Sequence, residues 1–318
     1  MHFFLIIMVV LALGYGVLML WYSLGWKRLK NYVVPVPRMG TTPVTVIIPA
    51  RDEADNLPPL LEALKQQTYP AHLLEVIVID DFSTDATPDV VRNCGAANIR
   101  LLQMSQLLDK QQRLNSYKKK AIEIAVSQSN GTLIVTTDAD CIMGPRWIET
   151  IVQFYEDRHP KFIAAPVSFY KEDNFFKKLQ SLDFMTMQGI TGAAAQLQAG
   201  TMCNGANLAY EKDAFFDVGG FKGIDNIASG DDMLLMYKIY NAYPEGVMYL
   251  KSEEVIVRTL PVDTLKGFMN QRIRWSSKAD KYEDKRITYV LMLVYFSMPA
   301  CWAWALRHSS CLRSGPGC

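Results

Sequence analysis

Asp138 and Asp140 stand one residue apart at the end of an apolar, β-branched run, Leu133 to Thr137, in the stretch IVTTDADCIMG. Asp80 and Asp81 close a second such run, EVIVID. A strand that ends on carboxylates has a bland reading, a surface turn or a helix N-cap, and Asp55 and Asp85 read as caps. The two pairs are harder to explain that way, because like charges gathered in one place cost stability without an opposite partner. A divalent cation is the economical partner. Mg2+ and Mn2+ take oxygen ligands and are commonly held by one or two carboxylates, with substrate phosphates completing the shell. No GxGxxG or Walker loop follows the first strand, PARDEADN taking its place. That argues against a dinucleotide or P-loop site and for phosphates held through metal.

The elements that must position these carboxylates alternate along the chain. VTVIIP (44–49), EVIVID (75–80), NIRLLQ (98–103) and TLIVTT (132–137) read as strands. Residues 55–67, 84–93 and 117–129 read as helices, with Leu57, Leu60, Leu61 and Leu64 on one face of the first and Ala121, Ile124 and Ala125 inward in the third. Strands apolar on both faces and separated by helices predict a mostly parallel sheet covered on both sides, an open α/β fold. Ligands bind such sheets outside the carboxyl ends of the strands. Both acidic pairs fall there, as does Pro49-Ala50-Arg51-Asp52-Glu53 after the first strand.

The chain has 318 residues, half of them hydrophobic, and a net charge of +1, so no long-range charge draws it to nucleic acid. Its six cysteines form no CxxC pair and have no histidine at zinc-ligand spacing, which argues against a disulfide framework or zinc site and fits a reduced compartment. Asn130-Gly131-Thr132 reads as a turn rather than a glycosylated sequon. Phe3 to Leu24 carry no charge and end among Trp21, Tyr22 and Trp26. The length predicts an uncleaved transmembrane anchor (1–26) rather than a signal peptide. Lys27, Arg28, Lys30 and Arg38 follow it, which puts the remainder of the chain on the cytoplasmic side of the membrane. Residues 27–43 read as a linker, 44–258 as the main domain, 259–286 as a basic interface segment, 287–306 as a second span kinked at Pro299, and 307–318 as a disordered or truncated tail. Residues 175–198 have apolar positions at helical spacing around Leu179, Leu182, Met185 and Ile190, which fits a helix on the membrane surface, a lid, or a plain core helix.

Six segments in order resemble glycosyltransferase family 2, the inverting enzymes with a GT-A type, Rossmann-like nucleotide-sugar domain. They are VTVIIPARDEADNLPPLLEALKQQTYP, EVIVIDDFSTDAT, KKKAIEIAVSQSNGTLIVTTDADC, CNGANLAYEKDAFFDVGGF, SGDDMLL and QRIRW. The last, with the apolar runs, resembles the membrane-bound branch carrying a QxxRW motif. The resemblance implies that Asp80, Asp81, Pro49, Ala50 and Glu53 line the base pocket, usually for uracil. It puts Lys119 or Lys120 near base and phosphates, Asp138 at the ribose and metal, and Asp140 on an Mg2+ or Mn2+ ion. Asp232 matches the catalytic base, with Asp231 beside it where many relatives have glutamate. Gln271, Arg272, Arg274 and Trp275 match the grip on diphosphate and acceptor, with Asn204 nearby. The expected reaction moves a sugar from a nucleoside diphosphate to a lipid-linked or glycan acceptor.

Each of these residues also has a plain structural reading. One of Asp231 and Asp232 caps a helix; Trp275 packs in the core or at an interface; Arg272 and Arg274 meet lipid headgroups; Asn204 and Asn207 close a turn; Cys203 fills space. Two other functional classes compete. A nucleotidyltransferase wants a glycine-rich, lysine-bearing loop after strand one, which is absent. A silent scaffold would be favoured by loss of Asp140 or Asp232, and both are present.

Overall fold

The computed structural model describes residues 2–34, 40–108, 116–199, 202–225, 227, 230–276, 289–290 and 292–295. The first helix, α1 (His2–Arg28), is long and apolar enough to cross a membrane and is almost wholly unburied from Ile6 onward. Then follow β1 (Val44–Ala50), α2 (Leu57–Lys65), β2 (Leu74–Asp80), α3 (Thr87–Arg92), β3 (Ile99–Gln103), a short α4 (Met104–Leu107), α5 (Tyr117–Ser127) and β4 (Leu133–Thr136). These strands lie parallel, and the expected boundaries agree to within a residue or two. The chain continues through α6 (Trp147–Arg158), β5 (Phe162–Ala164), β6 (Val167–Phe169), α7 (Phe175–Gln196), β7 (Leu208–Glu211), α8 (Lys212–Asp217), α9 (Asp231–Ala242), β8 (Val247–Tyr249), β9 (Val257–Thr259) and α10 (Leu265–Ser276).

The main sheet runs β3-β2-β1-β4-β7-β5-β8, with β7 antiparallel to both neighbours and the other pairs parallel; β6 and β9 form a separate small parallel sheet. β1 alternates Val44, Val46 and Ile48 into one core and Ile47 into the other, joined there by Ile77, Ile79 and Ile134. The first core is closed by the buried leucines of α2 and by Trp147, Ile148, Ile151 and Val152 of α6. The second is closed by α5, α8 and α9, with Ala121, Ile122 and Ala125 inward; Ile122 takes the place expected for Ile124, which is half-buried. β1 lies between β2 and β4, so its two neighbouring connections leave in opposite directions and open a crevice at the carboxyl ends.

α7 corrects the core-helix reading. Leu179, Leu182 and Met185 are exposed at 52, 60 and 61%, while Gln180, Ser181, Phe184 and Thr191 are buried. The buried polar stripe is tolerable because Gln180 exchanges hydrogen bonds with the backbone N–H and C=O of Val262. The far end of α7 lies against α1. A Cβ added at Gly192 would meet Trp26 at 2.8 Å, and one at Gly25 would meet Leu197 at 2.6 Å, so small residues let the two helices close. Lys251 pins the end of α1, with its ammonium 4.0 Å from the Trp26 ring centroid and bonded to the Leu29 carbonyl. Most of the expected second span, 287–306, and the tail lie outside the described residues. Met292–Tyr295 is helical, and Leu293 lies 3.5 Å from where a Cβ on Gly14 would be.

Candidate functional site

Strand β4 delivers Asp138 and Asp140 in the turn that follows it, where Cys141 N–H bonds back to the Asp138 carbonyl. Asp140 Oδ2 accepts a hydrogen bond from Thr259 Oγ1 at 2.9 Å, so β9 of the small sheet orients this carboxylate. Cys141 is fully buried behind it. Burial first, then Asp138 and Asp140, push its thiol well above the ordinary range, which leaves it a neutral packing residue rather than a nucleophile.

The loops after β1 and β2 are zipped together. Thr84 donates to Asp52 Oδ1 from both N–H and hydroxyl, Ser83 Oγ accepts from Asp52 N–H, and Thr87 Oγ1 accepts from Glu53 N–H. Asp85 caps the Thr87 N–H of α3 and also accepts from Ala54, while the N-cap position of α2 is Asn56 rather than Asp55. Asp52 and Phe82 sit in the left-handed backbone region, with φ of 55° and 56°, an uncommon conformation outside glycine. Together these loops flank Pro49, Ala50, Asp80 and Asp81 at the carboxyl ends of β1 and β2. Asp80 accepts from Ser83 N–H. Asp81 Oδ1 is buried with no hydrogen-bond partner, and Oδ2 lies 3.9 Å from Arg51. Burial raises the Asp81 carboxyl, Arg51 opposes this, and Asp80 adds to it. Glu53 is likewise raised by burial; its bond from Asn56 opposes that, and Asp140 and Asp138 push it further up. Glu53 therefore shares the field of the β4 carboxylates.

Asp231 and Asp232 open α9 after Gly230. Asp232 Oδ2 accepts from Gly205 N–H at 3.0 Å and Oδ1 from Met233 N–H at 2.7 Å, which fixes the carboxylate at the positive end of the helix. Lys118 joins the two acidic pairs. Its ammonium lies 2.8 Å from Asp138 Oδ1 and 3.5 Å from Asp231 Oδ2. Burial opposes the charge, but Asp138, Asp231 and Asp232 outweigh it and hold the ammonium protonated far above neutral pH.

Lys118 is the lysine that sequence reasoning missed. Lys119 is buried and donates to the carbonyls of Ile224 and Ile227 at 2.7 Å each; Lys120 pairs with Glu123. No sequence signal singled out Lys118, since one turn back from the inward Ala121, Ile122 and Ala125 of α5 lie both residue 118 and residue 119. Thr259 had no signal either. Asn204 closes a turn, its Oδ1 accepting from Ala206 N–H, but Asn207 is a fully buried hub bonded to Trp147 and to two backbone carbonyls. Arg272 pairs with Asp183 and Met187 of α7, and its guanidinium lies over the rings of Phe268 and Trp275. Trp275 packs on Phe184, so one face of its ring is taken. Arg274 is exposed. Gln271 Oε1 and Arg272 Nε are buried with no hydrogen-bond partner.

Among the described residues no three His, Cys, Asp or Glu side chains converge as a protein-only metal cage. The donor set still fits a hard cation: Asp138 and Asp140 offer carboxylate oxygens, a set that Mg2+ and Mn2+ complete with phosphate oxygens and water.

The family model described as Glycosyl transferase family 2 matches residues 45–219, and that of Glycosyl transferase family group 2 matches 133–313. The chain belongs to glycosyl transferase family 2. Within that family it is 28% identical to Glycosyltransferase AglE of Haloferax volcanii over 190 residues, covering 60% of this chain and 59% of the relative. It is 31% identical over 154 residues to an undecaprenyl-phosphate 4-deoxy-4-formamido-L-arabinose transferase of Serratia proteamaculans, covering 47% and 44%. The chain thus matches about three fifths or less of the length of these relatives. Among solved structures, the mannosyltransferase PcManGT of Pyrobaculum calidifontis, in complex with GDP-Man and Mn2+, superposes with a TM-score of 0.66 at 21% identity, covering 96% of this chain and 86% of that one. That likeness establishes the shared fold.

Proposed function

We propose that the chain is a membrane-anchored inverting glycosyltransferase that moves a sugar from a nucleoside diphosphate to a lipid-linked or polysaccharide acceptor. The observation that carries this reading is the convergence of Asp138 with Asp231 and Asp232 around one ammonium, beside Asp140. A donor-side acidic pair and a base-side acidic pair thereby share one crevice.

The unpartnered Asp81 Oδ1 suits an imide N–H of a pyrimidine base, as in a UDP-sugar, and Pro49 and Ala50 give that base an apolar wall. Asp138 and Asp140 would hold Mg2+ or Mn2+, with Asp138 also facing the ribose; a cation bound there supplies charge against the leaving diphosphate. Asp232, oriented by two N–H donors, takes the proton of the acceptor hydroxyl. As it does, the hydroxyl oxygen bonds to the anomeric carbon, the bond to phosphate breaks, and its electron pair leaves with the nucleoside diphosphate. A positioned base is worth about 100- to 10,000-fold. One base and no enzyme nucleophile give direct displacement, hence inversion.

Membrane residence is supported by α1 and by the apolar stripes left exposed on α7 and α10, the latter at Leu265, Met269 and Ile273. Such stripes suit helices lying in the bilayer interface, with the catalytic domain on the cytoplasmic side. The name of the Serratia relative, with its undecaprenyl phosphate, favours a polyprenyl-linked acceptor for this chain too. The test is a panel of UDP- and GDP-sugars with Mn2+ or Mg2+ and polyprenyl-linked glycan acceptors, whose free hydroxyl supplies the proton that Asp232 takes, with product configuration read by NMR. Metal-dependent transfer with inversion is expected; retention would contradict the direct-displacement reading.

A further inference from the structure

We infer that Lys118 makes cation binding conditional on the donor, standing in the carboxylate cluster as an internal counter-ion until a diphosphate arrives. The inference rests on the donor reading above and concerns what this chain's own ammonium does there.

Lys118 takes carboxylates from two separate elements, Asp138 in the turn after β4 and Asp231 at the first residue of α9. Among the described residues no other cation lies within ion-pair distance of either. Its neighbours on α5 are committed elsewhere, Lys119 to backbone carbonyls and Lys120 to Glu123. The ammonium therefore cross-links the donor side of the crevice to the base side. It keeps about two fifths of its side-chain exposure, so it is free to trade partners.

A divalent ion arriving alone meets that ammonium and must strip it from Asp138, against the repulsion of like charges. A cation arriving with a nucleoside diphosphate brings the replacement partner, since phosphate oxygens pair with a lysine as well as carboxylates do. One residue thus weakens the first event and strengthens the second. By linkage, that is positive coupling between metal and nucleotide. Asp231 is released only when the donor is in place, so the start of α9 is tied to α5 while the site is empty of donor.

The test titrates Mn2+ against the full chain in detergent, reading free Mn2+ by electron paramagnetic resonance, with and without UDP or GDP. Lys118→Met should bind Mn2+ alone on the order of tenfold more tightly than wild type and bind the nucleotide with Mn2+ more weakly, collapsing a coupling factor of the usual size. Lys118→Arg should behave as wild type. A lysine that only held the fold would not tighten Mn2+ binding on removal. Circular dichroism checks folding, and Lys118→Gln serves if the methionine variant does not fold. If wild type binds Mn2+ with nucleotide and the neutral variants show no tightening of Mn2+ alone, the inference falls and the donor reading stands. If wild type binds no Mn2+ with either nucleotide, both fall.

Discussion

Replacing Asn207 by alanine should cost the fold about 2–4 kcal/mol. The side chain is fully buried; its amide nitrogen donates to the carbonyls of Pro166 and Val255 at 2.7 Å each, and its oxygen accepts from the Trp147 indole at 3.0 Å. Truncation strands two buried polar groups, the Val255 carbonyl and the Trp147 indole N–H, at about 1–3 kcal/mol each, while the Pro166 carbonyl keeps its bond from Val257 N–H. Water entering the vacated volume recovers part of that, which brings the sum to the lower half of its range. For a domain of this size each kcal/mol shifts Tm by about 2–4 °C, so a drop of about 10 °C follows. Thermal unfolding of the detergent-solubilised chain, followed by circular dichroism, reads it. The consequence reaches the site, because Pro166 and Val255 flank β6 and β9, and β9 carries the Thr259 that orients Asp140. A loss below about 1 kcal/mol would show that these three bonds are replaceable and would refute the reasoning.

Gly131→Ala should be as damaging by a different route. The added Cβ would stand 2.3 Å from Thr45 N and 2.6 Å from Val44 C, both backbone atoms of β1. Forcing β1 and β4 apart costs about 1–3 kcal/mol or more in chemical denaturation, and an unchanged midpoint would contradict the tight-turn reading. Asp81→Asn tests the buried carboxyl. Burial raises the Asp81 carboxyl, so the folded chain binds this proton more readily than the unfolded chain, and stability is lost as pH rises above the ordinary aspartate range. The asparagine variant should therefore be more stable than wild type at about pH 7, with the gain vanishing at about pH 3; an equal shift at both would contradict it. Leu182→Cys carrying an environment-sensitive fluorophore should be quenched by spin-labelled lipid in liposomes, because its position is 60% exposed on the apolar stripe of α7. A label that only aqueous quenchers reach would remove α7 from the interface.

How much was legible depended on how many residues shared a burden. β1, β2 and β4 are buried on both faces, so VTVIIP, EVIVID and TLIVTT stand out as apolar runs, and the carboxyl ends of β2 and β4 locate Asp80, Asp81, Asp138 and Asp140 without further help. β5, β6, β8 and β9 have three residues each, too few to show a period, so neither the antiparallel insertion of β7 nor the small sheet could be foreseen. Thr259 was lost with them. α7 showed its period but not which way it faced, which hydrogen bonds to Val262 decide by letting Gln180 go inside while Leu182 stays out. The three consecutive lysines defeated residue-by-residue reasoning for a related cause. On a helix they point about 100° apart, and only the sheet beneath α5 decides that residue 118 meets carboxylates while residue 119 meets carbonyls. Arg272 and Trp275 were recognisable as a motif, but their packing on Asp183 and Phe184 depends on the docking of α10 along α7.

The central claim is that Asp232 accepts the acceptor's proton in a crevice it shares with the β4 carboxylates. The most direct measurement is the rate of nucleoside diphosphate release with the best donor and acceptor, comparing wild type with Asp232→Asn, whose side chain keeps the shape and the acceptor oxygen that meets Gly205 N–H. Loss of at least about 100-fold in kcat, with Tm and Mn2+-nucleotide binding unchanged, is the expected result. Turnover within a few-fold of wild type would contradict the assignment.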